Sequence, residues 1–300
     1  MTTLKNKDQT VHFHTSKSMD EVSDGSASLF ITSPPYWNLK DYGDSSDAIG
    51  HTDYDTYLEE LNEVWSECYN KGSETSVLII NVNSRRSKGV LYPIAFDIVS
   101  RMKGWTLWDV NIWYIPNALP QPNSYMERLL DNKFEYILVF TKGGHTKYNF
   151  TKPRVPQKYA SADPRAHKRN ILGRCLGNIL RVPAYRPPNV RAGNYHIAAF
   201  PEELVSFFVH SYTTEKQIVV DPFVGSGTTL KVCRVMNRVG IGFEVEEKFQ
   251  QLISSRIEEE WEVPNWTSID LIHSTSMNTG AAAPRRPKKK AEADLFQDGT

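Results

Sequence analysis

Residues 218–229 read IVVDPFVGSGTT, and the fold is decided there. Three β-branched residues form a short apolar strand, Asp221 ends it, and two glycines spaced by one residue follow before a hydroxyl pair opens a helix. A strand, a glycine bend and a helix in that order let backbone approach a ligand at the strand's carboxyl end. The bend is not a phosphate loop, because no GK[ST] follows, and it lacks the GxGxxG spacing of dinucleotide binders. Asp221 at the strand end is placed to anchor a cationic amino group. Downstream, VGIGFEV (239–245) is a second strand, and Glu244 near its end suits a ribose diol. A plain glycine turn with an N-capping hydroxyl is the alternative, and the paired acid argues against it.

Working outward, strands and helices alternate. Helices are expected at about Thr228 to Asn237, at Glu246 to Glu260 and at Pro201 to Tyr212, the last opened by Pro-Glu-Glu. Residues 53–70 place Tyr57, Leu61, Val64, Trp65 and Cys68 on one helical face, ended by Lys71 and Gly72. VLIINVN (77–83) is an apolar run of the kind buried on both sheet faces. A helix over about 92–103 precedes strands at 105–115 and 134–142. The pattern predicts an α/β fold with a doubly wound, mainly parallel sheet and ligands at its carboxyl edge.

Near the start, SLFITSPPYW (28–37) is a strand halted by two prolines. Ser33 Oγ and the Pro34 carbonyl can accept hydrogen bonds from an amine, Pro35 stiffens the turn, and Tyr36, with Trp37 beside it, offers a face for stacking a heterocycle. An ordinary turn with exposed aromatics is the alternative for SPPY alone.

Between the motifs, residues 143–192 carry Lys147, Lys152, Arg154, Lys158, Arg165, Lys168, Arg169, Arg174, Arg181, Arg186 and Arg191 against the single acid Asp163. Such an excess fits phosphate neutralisation on a loop-rich insert, with a solvated loop as the alternative. The expected division is a catalytic part (1–142), the insert (143–192), a cofactor-binding part (193–264) and a tail (265–300) of disordered composition that carries the basic run PRRPKKK (284–290). Hydrophobic residues at 40% and charged ones at 23% are ordinary for a globular protein, and a net charge of zero selects no partner. No apolar run approaches the roughly 20 residues of a membrane span. The polar start lacks a secretory signal's core, and Cys68, Cys175 and Cys233 are far apart, so a reduced cytoplasmic protein is expected. The eight histidines show no metal spacing, and no metal is expected.

Together SPPY and DPFVGSGTT resemble the amino-methylating DNA methyltransferases, whose catalytic tetrapeptide is (S/N/D)PP(Y/F/W). The catalytic motif precedes the cofactor motif, with the basic insert between, as in the β-group of that family. GHTDYDTYLEEL (50–61), WDVNIWYIPNALP (108–120), RLLDNKFEYILVFTK (128–142) and HIAAFPEEL (196–204) are similar to its other landmarks. The resemblance implies a Rossmann-like domain binding S-adenosylmethionine through Asp221, Pro222, Phe223, Gly225, Ser226, Gly227, Thr228, Thr229 and Glu244, with Phe200 and Pro201 closing over the methionine end. It implies double-stranded DNA as substrate, a flipped target base and Ser33, Pro34, Pro35 and Tyr36 as the catalytic turn. Serine before PPY is similar to the cytosine-N4 enzymes, whereas Asn or Asp is usual for adenine-N6. Adenine-N6 methylation and an inactive DNA-binding relative are the alternatives. A restriction–modification role with a partner endonuclease is implied; oligomeric state is left open.

Overall fold

The computed structural model describes residues 2–37, 49–50, 52–120, 128–143, 150–151, 177–184 and 201–264, and the backbone of 154–155 and 174–175. Its strands are β1 (Thr3–Asn6), β2 (Gln9–His12), β3 (Ala27–Thr32), β4 (Gly72–Val82), β5 (Arg85–Ser87), β6 (Val90–Tyr92), β7 (Thr106–Tyr114), β8 (Phe134–Thr141), β9 (Arg154–Val155), β10 (Arg174–Cys175), β11 (Ile179–Arg181), β12 (Ile218–Asp221) and β13 (Val239–Phe243). The helices are α1 (Tyr54–Lys71), α2 (Ile94–Arg101), α3 (Glu202–Tyr212), α4 (Thr228–Val235) and α5 (Gln250–Glu258), the last entered through a 3₁₀ turn at Glu247–Phe249.

Among the described residues, nine strands form one sheet in the order β1-β2-β13-β12-β3-β4-β8-β7-β11. From β2 to β4 every neighbour is parallel, β8 runs antiparallel between β4 and β7, and β11 is parallel to β7. The expected doubly wound, mainly parallel sheet is what forms. Side chains alternate through the central strands, so each strand feeds two cores. Leu29, Ile31, Val77, Ile79 and Val219 pack with Leu204, Phe208, Val232 and Cys233 of α3 and α4. Phe30, Leu78, Ile80, Val220 and Phe243 pack on the opposite face with Leu61, Trp65, Cys68 and Ile98 of α1 and α2.

Helix α1 shows how local sequence fixes its ends. The Asp53 carboxylate accepts from the amides of Asp55 and Thr56, both at 3.1 Å, and Gly72 follows its last turn. Its buried apolar residues are Tyr57, Leu58, Leu61, Val64, Trp65 and Cys68, the periodic set plus Leu58.

Two features depart from the sequence expectation. The polar start forms the hairpin β1–β2, and β2 lies parallel to β13 with Gln9 opposite Gly240. Within the basic segment, β11 extends the sheet beside β7, where Trp113 Nε1 donates to the Val182 carbonyl at 2.8 Å. Its pairing comes from β7, remote in sequence, so local composition could not announce it.

Helices α3, α4 and α5 are tied by buried charge. Lys231 Nζ lies 2.9 Å from Glu202 and 2.8 Å from Glu259, and Arg256 lies 2.6 and 2.7 Å from the same two acids. Glu202 is 7% exposed at its side chain and Glu259 47%, so the two should differ sharply. Glu202→Ala leaves two buried cations without their inner acid and should cost about 3–5 kcal/mol in urea unfolding. Glu259→Ala, partly screened by water, should cost about 1 kcal/mol or less.

Candidate active site

Strands β3 and β12 are parallel neighbours, with Val219 opposite Leu29 and Val220 opposite Phe30. The turn after each therefore emerges at the same carboxyl edge. The last residues of the two strands are joined directly, since Thr32 Oγ1 donates to Asp221 Oδ1 at 2.7 Å with both side chains buried. The Phe223 amide donates to the same oxygen at 3.0 Å, and Thr229 Oγ1 donates to Oδ2 at 2.6 Å. Burial pushes the Asp221 carboxyl above the usual carboxylate range, and these three hydrogen bonds oppose that shift.

This corrects the expectation that Asp221 reaches a cationic amino group. Its carboxylate is turned inward, 1% exposed, and spans the two turns from beneath.

The glycine bend is held open by backbone geometry. Gly225 and Gly227 have φ of 54° and 89°, the left-handed region that glycine enters without strain. A Cβ on Gly227 would also stand 3.2 Å from Ile253 Cγ2. The Val224 amide donates to the Phe243 carbonyl at 3.0 Å, fastening the bend to β13. Pro222, Gly227, Thr228 and Thr229 are buried, whereas Phe223, Gly225 and Ser226 keep partial exposure. Phe223 packs edge-on against Trp65, with centroids 6.1 Å apart. Ser226 Oγ lies 3.3 Å from Thr228 Oγ1.

Glu244 follows β13 and turns its carboxylate onto the bend, accepting from the Gly225 amide at 2.9 Å and the Glu246 amide at 3.1 Å. Burial raises its pKa to about 7; the two amides oppose this, while the neighbouring acids Glu246 and Asp221 add to it.

On the other turn, Pro34 is buried and Ser33, Pro35 and Tyr36 are half-buried. The Tyr57 hydroxyl, from α1, donates to the Pro35 carbonyl at 3.0 Å and pins the turn. The Tyr36 hydroxyl donates to Glu135 Oε2 at 3.3 Å, and Asn81 Nδ2 donates to the same oxygen at 2.6 Å. Burial pushes the Glu135 carboxyl up, with Asn81 and Tyr36 opposing. Trp37 is not available for stacking a ligand. Its ring lies 4.5 Å from that of Tyr92 and 5.2 Å from that of Tyr54, and its Nε1 donates to the Thr52 carbonyl at 2.9 Å.

The sequence does not mark Tyr57, Asn81 or Glu135 as site residues. Glu135 carried a usable signal, being a lone acid in the apolar strand FEYILVF. Asn81 and Tyr57 carried none, since a polar residue in a strand and an aromatic on a buried helical face both read as framework.

Pro201 sits buried at the N-terminus of α3, while Phe200 lies outside the described residues. Lys152, Lys158, Arg165, Lys168, Arg169, Arg186 and Arg191 also lie outside them. Arg154 and Arg174 are described as backbone only, in the two-residue pairing of β9 with β10. The Arg181 guanidinium lies 5.4 Å from the Tyr114 ring centroid, at the sheet edge. Cys68 and Cys233 are buried with thiol pKa values pushed up by burial, unsuited to nucleophilic attack. No helix among the described residues is long and apolar enough to cross a membrane.

A family model described as DNA methylase, of the N6/N4 methyltransferase type, matches residues 27–255. The Type II methyltransferase M.HpaI of Haemophilus parainfluenzae is 28% identical over 248 residues, 82% of this chain and 72% of that protein. The orphan methyltransferase M.BamHII of Bacillus amyloliquefaciens is 28% identical over 258 residues, 79% of this chain and 91% of its own. Among solved structures, the PvuII cytosine-N4-specific DNA methyltransferase shares the fold, with a TM-score of 0.65 at 20% identity over 85% of this chain and 88% of that one. A Thermus thermophilus protein provisionally described as a DNA modification methylase, complexed with S-adenosyl-L-methionine, aligns with a TM-score of 0.55 at 26% identity, over 82% of this chain and 92% of that chain.

The inward carboxylate makes a stability prediction that separates support from surface. Thr32→Val removes one of the donors to buried Asp221 and should lower unfolding free energy by about 1–3 kcal/mol. Ser33→Ala, one residue on and half-exposed, should change it by no more than about 0.5 kcal/mol. Equal effects in urea unfolding would mean that the Thr32 contact does not join the two turns.

Proposed function

Because the chain belongs to the N6/N4 DNA methylase family, we propose that it transfers a methyl group from S-adenosylmethionine to N4 of cytosine in double-stranded DNA. The observation that carries this reading is the junction of β3 and β12 through Thr32 and Asp221, which sets the SPPY turn beside the glycine bend.

The bend fits the cofactor. It presents partly exposed backbone at Gly225 and Ser226, kept free of Cβ atoms at two left-handed positions, with a carboxylate at its rim. Phe223, Gly225, Ser226 and Glu244 would hold the cofactor, with Glu244 on the ribose diol. Asp221, Thr228 and Thr229 shape the bend from below, and Pro201 with Phe200 would close the methionine end, as the family resemblance implies. When bound, the cofactor supplies an electrophilic methyl group.

At the other turn, Ser33 Oγ and the Pro34 carbonyl accept the two amine hydrogens. This favours a tetrahedral nitrogen and exposes its lone pair. Tyr36 gives the extruded base a ring to stack on, while Glu135 holds the Tyr36 hydroxyl. Catalysis then consists mainly of alignment in a site that excludes water. Cytosine is favoured over adenine by Ser33, where adenine-N6 enzymes usually carry Asn or Asp. The basic segment 143–192, target recognition by our reading, contacts phosphates. The chain acts in a restriction–modification setting, and a cognate endonuclease is its proposed partner.

Mass analysis of nucleosides from plasmid DNA incubated with the protein and cofactor should find N4-methyldeoxycytidine. N6-methyldeoxyadenosine instead would reassign the base, and an unmodified digest would indicate a DNA-binding relative without activity.

Glu244 makes cofactor affinity depend on pH. Its raised pKa means the free protein holds a proton there below about pH 7. A protonated carboxyl is a poorer acceptor for a diol and lacks attraction for a cationic cofactor. The dissociation constant should therefore rise as pH falls through 7, by up to about tenfold per unit. Glu244→Gln should bind more weakly at pH 8 and lose the pH dependence. Calorimetry showing wild-type affinity unchanged from about pH 6 to 8 would remove Glu244 from the ribose contact.

A further inference from the structure

His12 ends β2, and one residue separates it from His14. In extended chain that spacing sends both imidazoles to one side while Phe13 turns into the core. The segment that follows brings Glu21 back to them. One ring nitrogen from each histidine and one Glu21 oxygen lie within 4.8 Å of one another. His14 Nε2 is 2.9 Å and His12 Nδ1 3.7 Å from Glu21 Oε1. Ligand atoms around a tetrahedral zinc ion, each about 2.0–2.1 Å from it, stand about 3.3 Å apart, so these two separations bracket the need.

The proton arrangement points the same way. His14 Nδ1 lies 2.9 Å from the Thr15 carbonyl, which requires its hydrogen on Nδ1. Its Nε2 then faces a Glu21 carboxylate oxygen 2.9 Å away, where a cation held between the two atoms would be bound by both. A backbone carbonyl orienting the far nitrogen is also the usual support of a metal-bound imidazole. Both rings are held against Phe243, with centroids 5.6 and 5.3 Å away.

We propose that His12, His14 and Glu21 form a divalent transition-metal site of the zinc class. Two imidazoles with one carboxylate suit zinc rather than magnesium or calcium. Three protein ligands leave a fourth position for water. The ion would clasp the end of β2 to the segment carrying Glu21, beside the cofactor strand, because the Glu244 amide donates to the His12 carbonyl at 3.1 Å. The histidines escaped the sequence reading because their third ligand comes from a loop of no regular spacing.

The test is calorimetric titration of zinc chloride into the untagged, chelator-treated full chain at about pH 7.5, with thermal unfolding alongside. Wild type should take up one equivalent with a Kd on the order of micromolar or tighter, and its Tm should rise. His14→Ala and Glu21→Gln should each weaken binding at least about tenfold, and His210→Gln should leave it unchanged. Glu21 lies at the surface, so Glu21→Gln decides the matter should His14→Ala fail to fold. No saturable uptake by wild type, or wild-type affinity in a folded Glu21→Gln variant, overturns the proposal.

Discussion

The site rests on one buried carboxylate. Asp221 collects a hydroxyl from the end of β3, a hydroxyl from the first turn of α4 and the amide of Phe223. Each of those donors belongs to a different part of the site: the strand leading to SPPY, the helix after the bend, and the bend itself. A buried carboxyl group is tolerated only when its oxygens are satisfied, so burial enforces all three contacts together. Its burial is thus a means of registration. The two turns cannot drift apart without stranding an unsatisfied polar group in the core.

Register along the sheet does the rest. Leu29 pairs with Val219 on one side and Val77 on the other, so three adjacent strands reach the edge nearly level. Since alternate residues feed opposite cores, a one-residue slip of β3 would turn Phe30 from the α1 side toward α3. The same slip would remove Thr32 from Asp221. Hydrophobic patterning and the polar contact therefore specify the same alignment, and neither could move without cost to the other.

Much of this was legible in the chain because the deciding features are local. A proline pair must stop a strand, glycines spaced by one residue must make a bend, and the period of α1 must bury Tyr57 through Cys68. What escaped depends on partners remote in sequence. The hairpin β1–β2 is polar and short, and only β13, more than two hundred residues on, gives it a place in the sheet. That Asp221 is a strand-end acid is legible locally, but which way a strand-end side chain turns is not. Tyr57, Asn81 and Glu135 come from α1, β4 and β8, and meet around Pro35 and Tyr36 only once the sheet is assembled.

The electrostatics of the carboxyl edge follow from that assembly. Burial first, and then the neighbouring acids Glu246 and Asp221, raise the cost of ionising Glu244, so near neutrality it is divided between its charged and neutral forms. A ligand carrying positive charge reverses the sign of that interaction and draws the proton away. An acid in such a setting is held charged by a bound cation and is easily neutralised without one. Such coupling needs the acids close together, out of water and at a strand end where a ligand can reach them. A parallel sheet supplies that place at its carboxyl edge, where β13 delivers Glu244 over the bend that β12 begins.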